Sequence, residues 1–171
     1  MIVETLDQLA DQLEAGTTTS RDLTEACLAR IEDQDGEGSR VFVMADAEGA
    51  LEQADHIDAL RRKGRAPSRY AGIPVSIKDL FDVAGQVTAA GSTILRDAGP
   101  AVRDATCVAR LRAAGFVFLG RTNMTEFAYS GVGLNPHYGT PKSIWGRHNG
   151  RIPGGSSSGA GVSVADGMAY M

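Results

Sequence analysis

At 171 residues the chain is long enough for one domain with a sizeable core, and its 43% hydrophobic and 22% charged content is that of an ordinary globular protein. A formal net charge of −4 gives no reason to expect nucleic acid or an acidic membrane surface as a partner. The sequence shows neither a secretory apolar region nor an 18-residue apolar run, so no membrane association is expected and the cytoplasm is the default compartment.

Residues 1–64 read as mainly helical scaffold. Thr5 followed by Gln8 is a capping-box signature. It opens a helix with Leu6, Leu9 and Leu13 on one side and Gly16 at its end. A second helix starts at Thr19 or Ser20 and runs to about Asp33, with Leu23, Cys27 and Ile31 as its apolar stripe. Asp35 to Gly38 is a turn and Val41 to Met44 a short apolar strand. Ala47 to about Arg62 is a third helix carrying Leu51, Ala54 and Leu60. The basic cluster Arg61-Arg62-Lys63-Gly64-Arg65 has no interleaved aromatics. It reads as a solvated helix end, with cations near the negative pole of the dipole, rather than as a nucleic-acid contact. Cys27 and Cys107 match no paired spacing and read as core residues.

Gly72-Ile73-Pro74-Val75-Ser76-Ile77-Lys78-Asp79-Leu80-Phe81 reads as a short buried strand ending in a lysine. Burial disfavours the charged form, lowers the pKa, and turns a lysine into a general base near neutral pH. The competing reading is a solvated strand-end lysine held by Asp79. After the loop-like Gly85 to Ser92, Asp104 is the expected N-cap of a helix through Val108, Leu111 and Ala114, ended by Gly115. Phe116 to Leu119 follows as a buried strand. Strand, crossover, helix and strand form the pattern of parallel pairing, which puts Lys78 and Gly120 at one sheet edge. Ligands of such sheets bind beyond the carboxyl ends of the strands.

Thr122 is read as the cap of a short helix containing Met124, Glu126 and Phe127, with Glu126 orienting loop backbone rather than acting as an acid. Gly131 to Gly150 is a long loop. His56, His137 and His148 have no metal-ligand spacing. His137 paired with a serine is an alternative base that competes with Lys78. Near the C-terminus, Arg151-Ile152-Pro153-Gly154-Gly155-Ser156-Ser157-Ser158-Gly159-Ala160-Gly161 sets three serines between glycines, ahead of an apolar segment. A flexible linker, a phosphate-cradling loop and a nucleophile-type serine loop compete for it. A linker is not usually followed at once by an apolar segment, and the Gly-Lys-Ser/Thr ending of a P-loop is missing, so the serine loop is favoured.

Gly72 to Asp79, Gly120-Arg121-Thr122-Asn123-Met124-Thr125-Glu126-Phe127-Ala128, Asn135-Pro136-His137-Tyr138-Gly139-Thr140-Pro141 and Pro153 to Gly159, in this order and separation, resemble the amidase signature family. The resemblance runs from about residue 5 to the end. It implies an α/β fold with helices packed around a mixed, largely parallel sheet. Residues 1–171 would be the N-terminal part of a single domain, with the catalytic core starting at residue 65. It also implies amide hydrolysis by a Ser–Ser–Lys triad through an acyl-enzyme, with a small-molecule amide as substrate and no metal or organic cofactor. A homodimer is left open.

By match of motif, Lys78 is the lysine and Ser156 the bridging serine, which family members hold through a cis peptide. Ser157 would support the network, Gly154 and Gly155 would form the turn, and Ser130 would line the acyl side of the pocket. Ser158 stands where glycine is more usual, and Ala160 replaces a frequent serine. In the family the nucleophile lies roughly two dozen residues beyond the bridging serine, in a second glycine-rich turn that also makes the oxyanion hole. Counting from Ser156 puts it just past Met171, so this chain is expected to carry base and bridge without a nucleophile and to be inactive alone. Two alternatives stand beside a free-standing amidase. One is the glutamine-hydrolysing subunit of a tRNA-dependent amidotransferase. The other is a non-catalytic truncated product whose residues Met168 to Met171 leave an open apolar sheet edge.

Overall fold

The computed structural model describes residues 4–171. Its first helix, α1 (Leu6–Ala15), carries the expected capping box: Gln8 N–H donates to Thr5 Oγ1 and Thr5 N–H to Gln8 Oε1. Gly16 ends it at φ 68°, a left-handed conformation open to glycine at no steric cost. A second box, Thr19 with Asp22, opens α2 (Ser20–Ile31), which buries Leu23, Cys27 and Ile31. One helical turn, α3 (Gly38–Val41), replaces part of the expected turn and delays β1 to Phe42–Ala45. The third long helix, α4 (Ala47–Arg62), has the expected bounds but buries Ala50, Ala54, Ile57 and Asp58 rather than Leu60. The Asp58 carboxylate accepts the N–H groups of Ser20 and Arg21, so α4 caps the start of α2 from outside it.

The sheet has the order β1-β3-β2, with β2 (Pro74–Lys78) parallel to β3 (Val117–Thr122) and β1 antiparallel to it. The crossover between the parallel strands carries α5 (Thr106–Ala114). Side chains of a strand alternate between its faces. Val117 and Leu119 pack with α2, α4 and the last helix, α6 (Ser158–Ala165), whereas Phe118 joins Val75, Ile77 and Val108 of α5. The result is a mixed sheet with helices packed on it, as the sequence leads one to expect.

Several local expectations are corrected. Asp104 does not cap α5: its carboxylate accepts from Ala84 N–H and Arg112, and Ala105 holds the cap position without a side-chain bond. Thr122 is the last residue of β3, and the following 3-10 turn is Glu126–Ala128 with Thr125 before it. Cys27 is core, with its thiol pushed up to about 12 by burial, but Cys107 is exposed. Arg61 is not a solvated helix end, since its guanidinium caps the carbonyls of Arg69 and Ala71. Met168 and Ala169 are buried, and the tail runs along β2, with Tyr170 N–H donating to Pro74 C=O and Ser76 N–H to Met171 C=O.

Candidate active site

Alternation along β2 puts Ser76 and Lys78 on the face turned to α6, and Val75 and Ile77 on the face turned to α5. Ser76 Oγ lies 3.2 Å from Ser163 Oγ of α6. One pleat further on, Lys78 Nζ donates to Ser156 Oγ at 2.7 Å. Burial pushes the Lys78 ammonium below its ordinary pKa, with no carboxylate countering it. Asp79 is not the lysine's partner. Its Oδ1 faces Arg121 Nε at 3.3 Å and its Oδ2 accepts the Gly91 N–H at 2.9 Å.

The serine loop is held by backbone contacts. The Gly155-Ser156 peptide is cis. Gly155 N–H donates to Gly131 C=O, and Ser156 C=O accepts from Thr125 N–H at 2.9 Å. Gly133, at φ 88°, passes so close to the Gly154 carbonyl that a side chain there would collide with it. Gly159 brings the first turn of α6 against the backbone of Val41 and Asn123, and its N–H donates to the Asn123 C=O. Ser157 occupies the N-cap position of α6, is exposed, and makes no side-chain cap bond. The Ser158 hydroxyl is buried without a partner among the described residues. Ser130 is half-buried and accepts from Val132 N–H; it borders the loop through Gly131 but does not bond to Lys78 or Ser156.

His137 points elsewhere: its Nε2 lies 3.1 Å from Glu126 Oε1, which also accepts from Ser92 Oγ at 2.6 Å. Glu126 therefore joins two side chains instead of orienting backbone. Ala90, Phe127 and Ala128 have φ between 53° and 56°, a region that costs a non-glycine residue about 1–2 kcal/mol. Phe127 N–H donates to Ala90 C=O, so these residues meet beside the Lys78 strand end, and such backbone gathers at functional sites.

Sequence reasoning missed the framework around the lysine. Asp79 anchors the 90–91 loop through its carbonyl and carboxylate, and the Asn135 side-chain amide ties Gly91 to Met124. A signal was present: Arg121 follows the apolar run from Val117 to Leu119 in β3, and a buried charge needs a partner. Among the described residues, no three His, Cys, Asp or Glu side chains stand together as a metal site, and no helix is long and apolar enough to cross a membrane.

Comparison with known proteins places these features. The family model described as Amidase matches residues 22–171. The AtzE subunit of the 1-carboxybiuret hydrolase of Pseudomonas sp. (strain ADP) is 42% identical over 161 residues, covering 94% of this chain and 35% of that protein. A glutamyl-tRNA(Gln) amidotransferase subunit of Chromohalobacter salexigens is 42% identical over 165 residues, covering 96% of this chain and 33% of its own length. Among solved structures, the native peptide amidase of Stenotrophomonas maltophilia superposes with a TM-score of 0.84 at 35% identity, over 96% of this chain and 34% of that one. The chain thus spans about a third of the length of its curated relatives. With the family model matched from residue 22 to 171, the chain belongs to the amidase family, the amidase signature enzymes.

Proposed function

We propose that this chain supplies the base and the bridging hydroxyl of an amide hydrolase that works through a Ser–cis-Ser–Lys relay. The observation that carries this reading is the 2.7 Å contact between Lys78 Nζ and Ser156 Oγ, made by a lysine whose charged form is disfavoured by burial. Neutral Lys78 takes the Ser156 hydroxyl proton while Ser156 takes that of a nucleophilic hydroxyl, which attacks the amide carbonyl. The proton returns along the same line to the departing amine or ammonia, leaving an acyl-enzyme that water cleaves. Gly154, Gly155 and Ser157 shape the turn that presents Ser156, and Ser130 stands on its acyl side. Among the described residues no second hydroxyl bonds to Ser156 Oγ, and the nucleophilic hydroxyl is assigned to none of them. The enzyme acts on a small amide in the cytoplasm.

A second reading has a specific observation behind it: the Chromohalobacter glutamyl-tRNA(Gln) amidotransferase protein is as similar, at 42% identity, as the carboxybiuret hydrolase one. In that case glutamine is the amide and the ammonia passes to a partner subunit.

The test is a graft. The matching third of the Stenotrophomonas peptide amidase is replaced by this chain, and ammonia release is measured on a soluble, folded graft. Lys78→Ala and Ser156→Ala are each expected to lower kcat by roughly 10²–10⁴-fold, with KM little changed. A Lys78→Ala graft at the parental rate overturns the relay. A graft active only within the Chromohalobacter protein, on glutamine, favours the second reading.

A further inference from the structure

A serine hydroxyl is a weak nucleophile until a base stands beside it. Among the described residues Ser156 is the one hydroxyl bonded to a lysine, at 2.7 Å from Lys78 Nζ. Other serines are engaged differently. Ser76 and Ser163 meet each other at 3.2 Å, Ser92 donates to the Glu126 carboxylate at 2.6 Å, and Ser130 accepts from Val132 N–H. Burial disfavours the Lys78 ammonium and no carboxylate holds it charged, because Asp79 is turned to Arg121 and Gly91. A neutral amine at this distance takes the Ser156 proton directly.

The approach to this oxygen is open. Ser156 and Lys78 are both partly exposed, whereas Ser92, Ser158 and Ser163 are buried. The chain neighbours of Ser156, Gly155 and Ser157, are exposed, and Gly155 carries no side chain. One turn above Ser157, a methyl placed at Gly161 meets no atom within 4 Å. The hydroxyl is also held in place from both sides, by the bond from Gly155 N–H to Gly131 C=O and the bond from Thr125 N–H to Ser156 C=O.

We infer that Ser156 is itself a nucleophile, with Lys78 as its base, toward small aryl esters. Oγ attacks the ester carbonyl as its proton passes to Lys78 Nζ. The bond from Oγ to the acyl carbon forms, the bond from that carbon to the aryl oxygen breaks, and the phenolate leaves. The proton stays on Lys78 until solvent removes it, and the acyl group stays on Ser156. Aryl esters are the class that fits, since a phenolate departs without the protonation that an amine requires. This activity shares the Lys78–Ser156 contact with the amide relay but needs no further hydroxyl.

The test treats the 171-residue chain with p-nitrophenyl acetate, in a Cys107→Ala background because that exposed thiol also attacks esters. A burst of one p-nitrophenolate per chain is expected, with the acetyl group mapped to Ser156 by mass spectrometry after an acid quench. Ser156→Ala and Lys78→Met are each expected to slow the burst at least ~100-fold with an unchanged far-UV circular dichroism spectrum. The burst rate rises with pH as Lys78 loses its proton, levels off below the ordinary 10.5, and shows no such step in Lys78→Met. Should a variant fail to fold, the acetyl map of the parent chain decides alone. Acetyl groups scattered over lysines and histidines, or on Lys78 without Ser156, overturn the inference, as does a burst unchanged in Lys78→Met. An unlabelled chain whose graft still releases ammonia also overturns it, leaving Ser156 as a bridge only. A labelled chain whose graft is inert upholds it and removes the relay instead.

Discussion

Removing the Asp79 carboxylate is the sharpest perturbation of the frame around Lys78. Both members of the Asp79–Arg121 pair are 2% exposed, and Oδ2 also holds the Gly91 N–H at 2.9 Å. Asp79→Ala leaves a buried guanidinium without the one carboxylate it contacts among the described residues, a loss of about 3–5 kcal/mol, which is a large share of the ~5–15 kcal/mol that holds a domain folded. With a urea slope of roughly 2 kcal/mol/M, the midpoint falls by about 2 M at unchanged slope. Asp79→Asn keeps an acceptor for Gly91 and loses less. In the double variant Asp79→Ala with Arg121→Met the orphaned charge is gone, and more than half of the loss is recovered. Urea unfolding followed by far-UV circular dichroism measures all three. A single variant that loses under about 1 kcal/mol, or a double variant no better than the single, refutes the uncompensated-charge argument.

Three further outcomes are expected. Gly159→Ala presses a methyl into the backbone of Val41 and Asn123 and destabilises by about 2 kcal/mol or more, whereas Gly161→Ala meets open space and stabilises α6 by up to about 1 kcal/mol; thermal melts of the pair separate close approach from helix propensity. Because the folded-state pKa of Lys78 lies below its ordinary 10.5, the unfolded chain binds more protons between the two values. The stability of the unmodified chain relative to Lys78→Met is therefore flat below the lowered pKa and rises with pH up to about 10.5, and urea midpoints that fall over that window contradict the burial of the lysine. Finally, a thiol reagent labels Cys107 at once and Cys27 only on unfolding, since Cys27 is buried and its pKa is about 12; two fast thiols per chain would count against this packing.

What the sequence determined by itself was local or carried by motif. The capping box at Thr5, the start of α2 at Thr19 or Ser20, the left-handed ends at Gly16 and Gly115, and the bounds of α4 rest on bonds spanning three or four residues, where composition is enough. The order of the four motifs pointed to the family, and the strand-helix-strand order to the parallel pairing of β2 with β3. Tertiary structure decided which of several competent partners each polar group takes. Asp104 had the chemistry of an N-cap but was drawn to Ala84 and Arg112, and α2 received its external cap from Asp58, 38 residues further on. Arg121 met Asp79 only because parallel pairing brings the ends of β2 and β3 together, 42 residues apart in the chain. The contact between Lys78 and Ser156 spans 78 residues and depends on the pleat of β2 and on how closely Gly159 lets α6 approach β3. Local bonds follow from neighbouring residues, whereas the pairing of buried charges depends on strand register and on the gaps between packed elements.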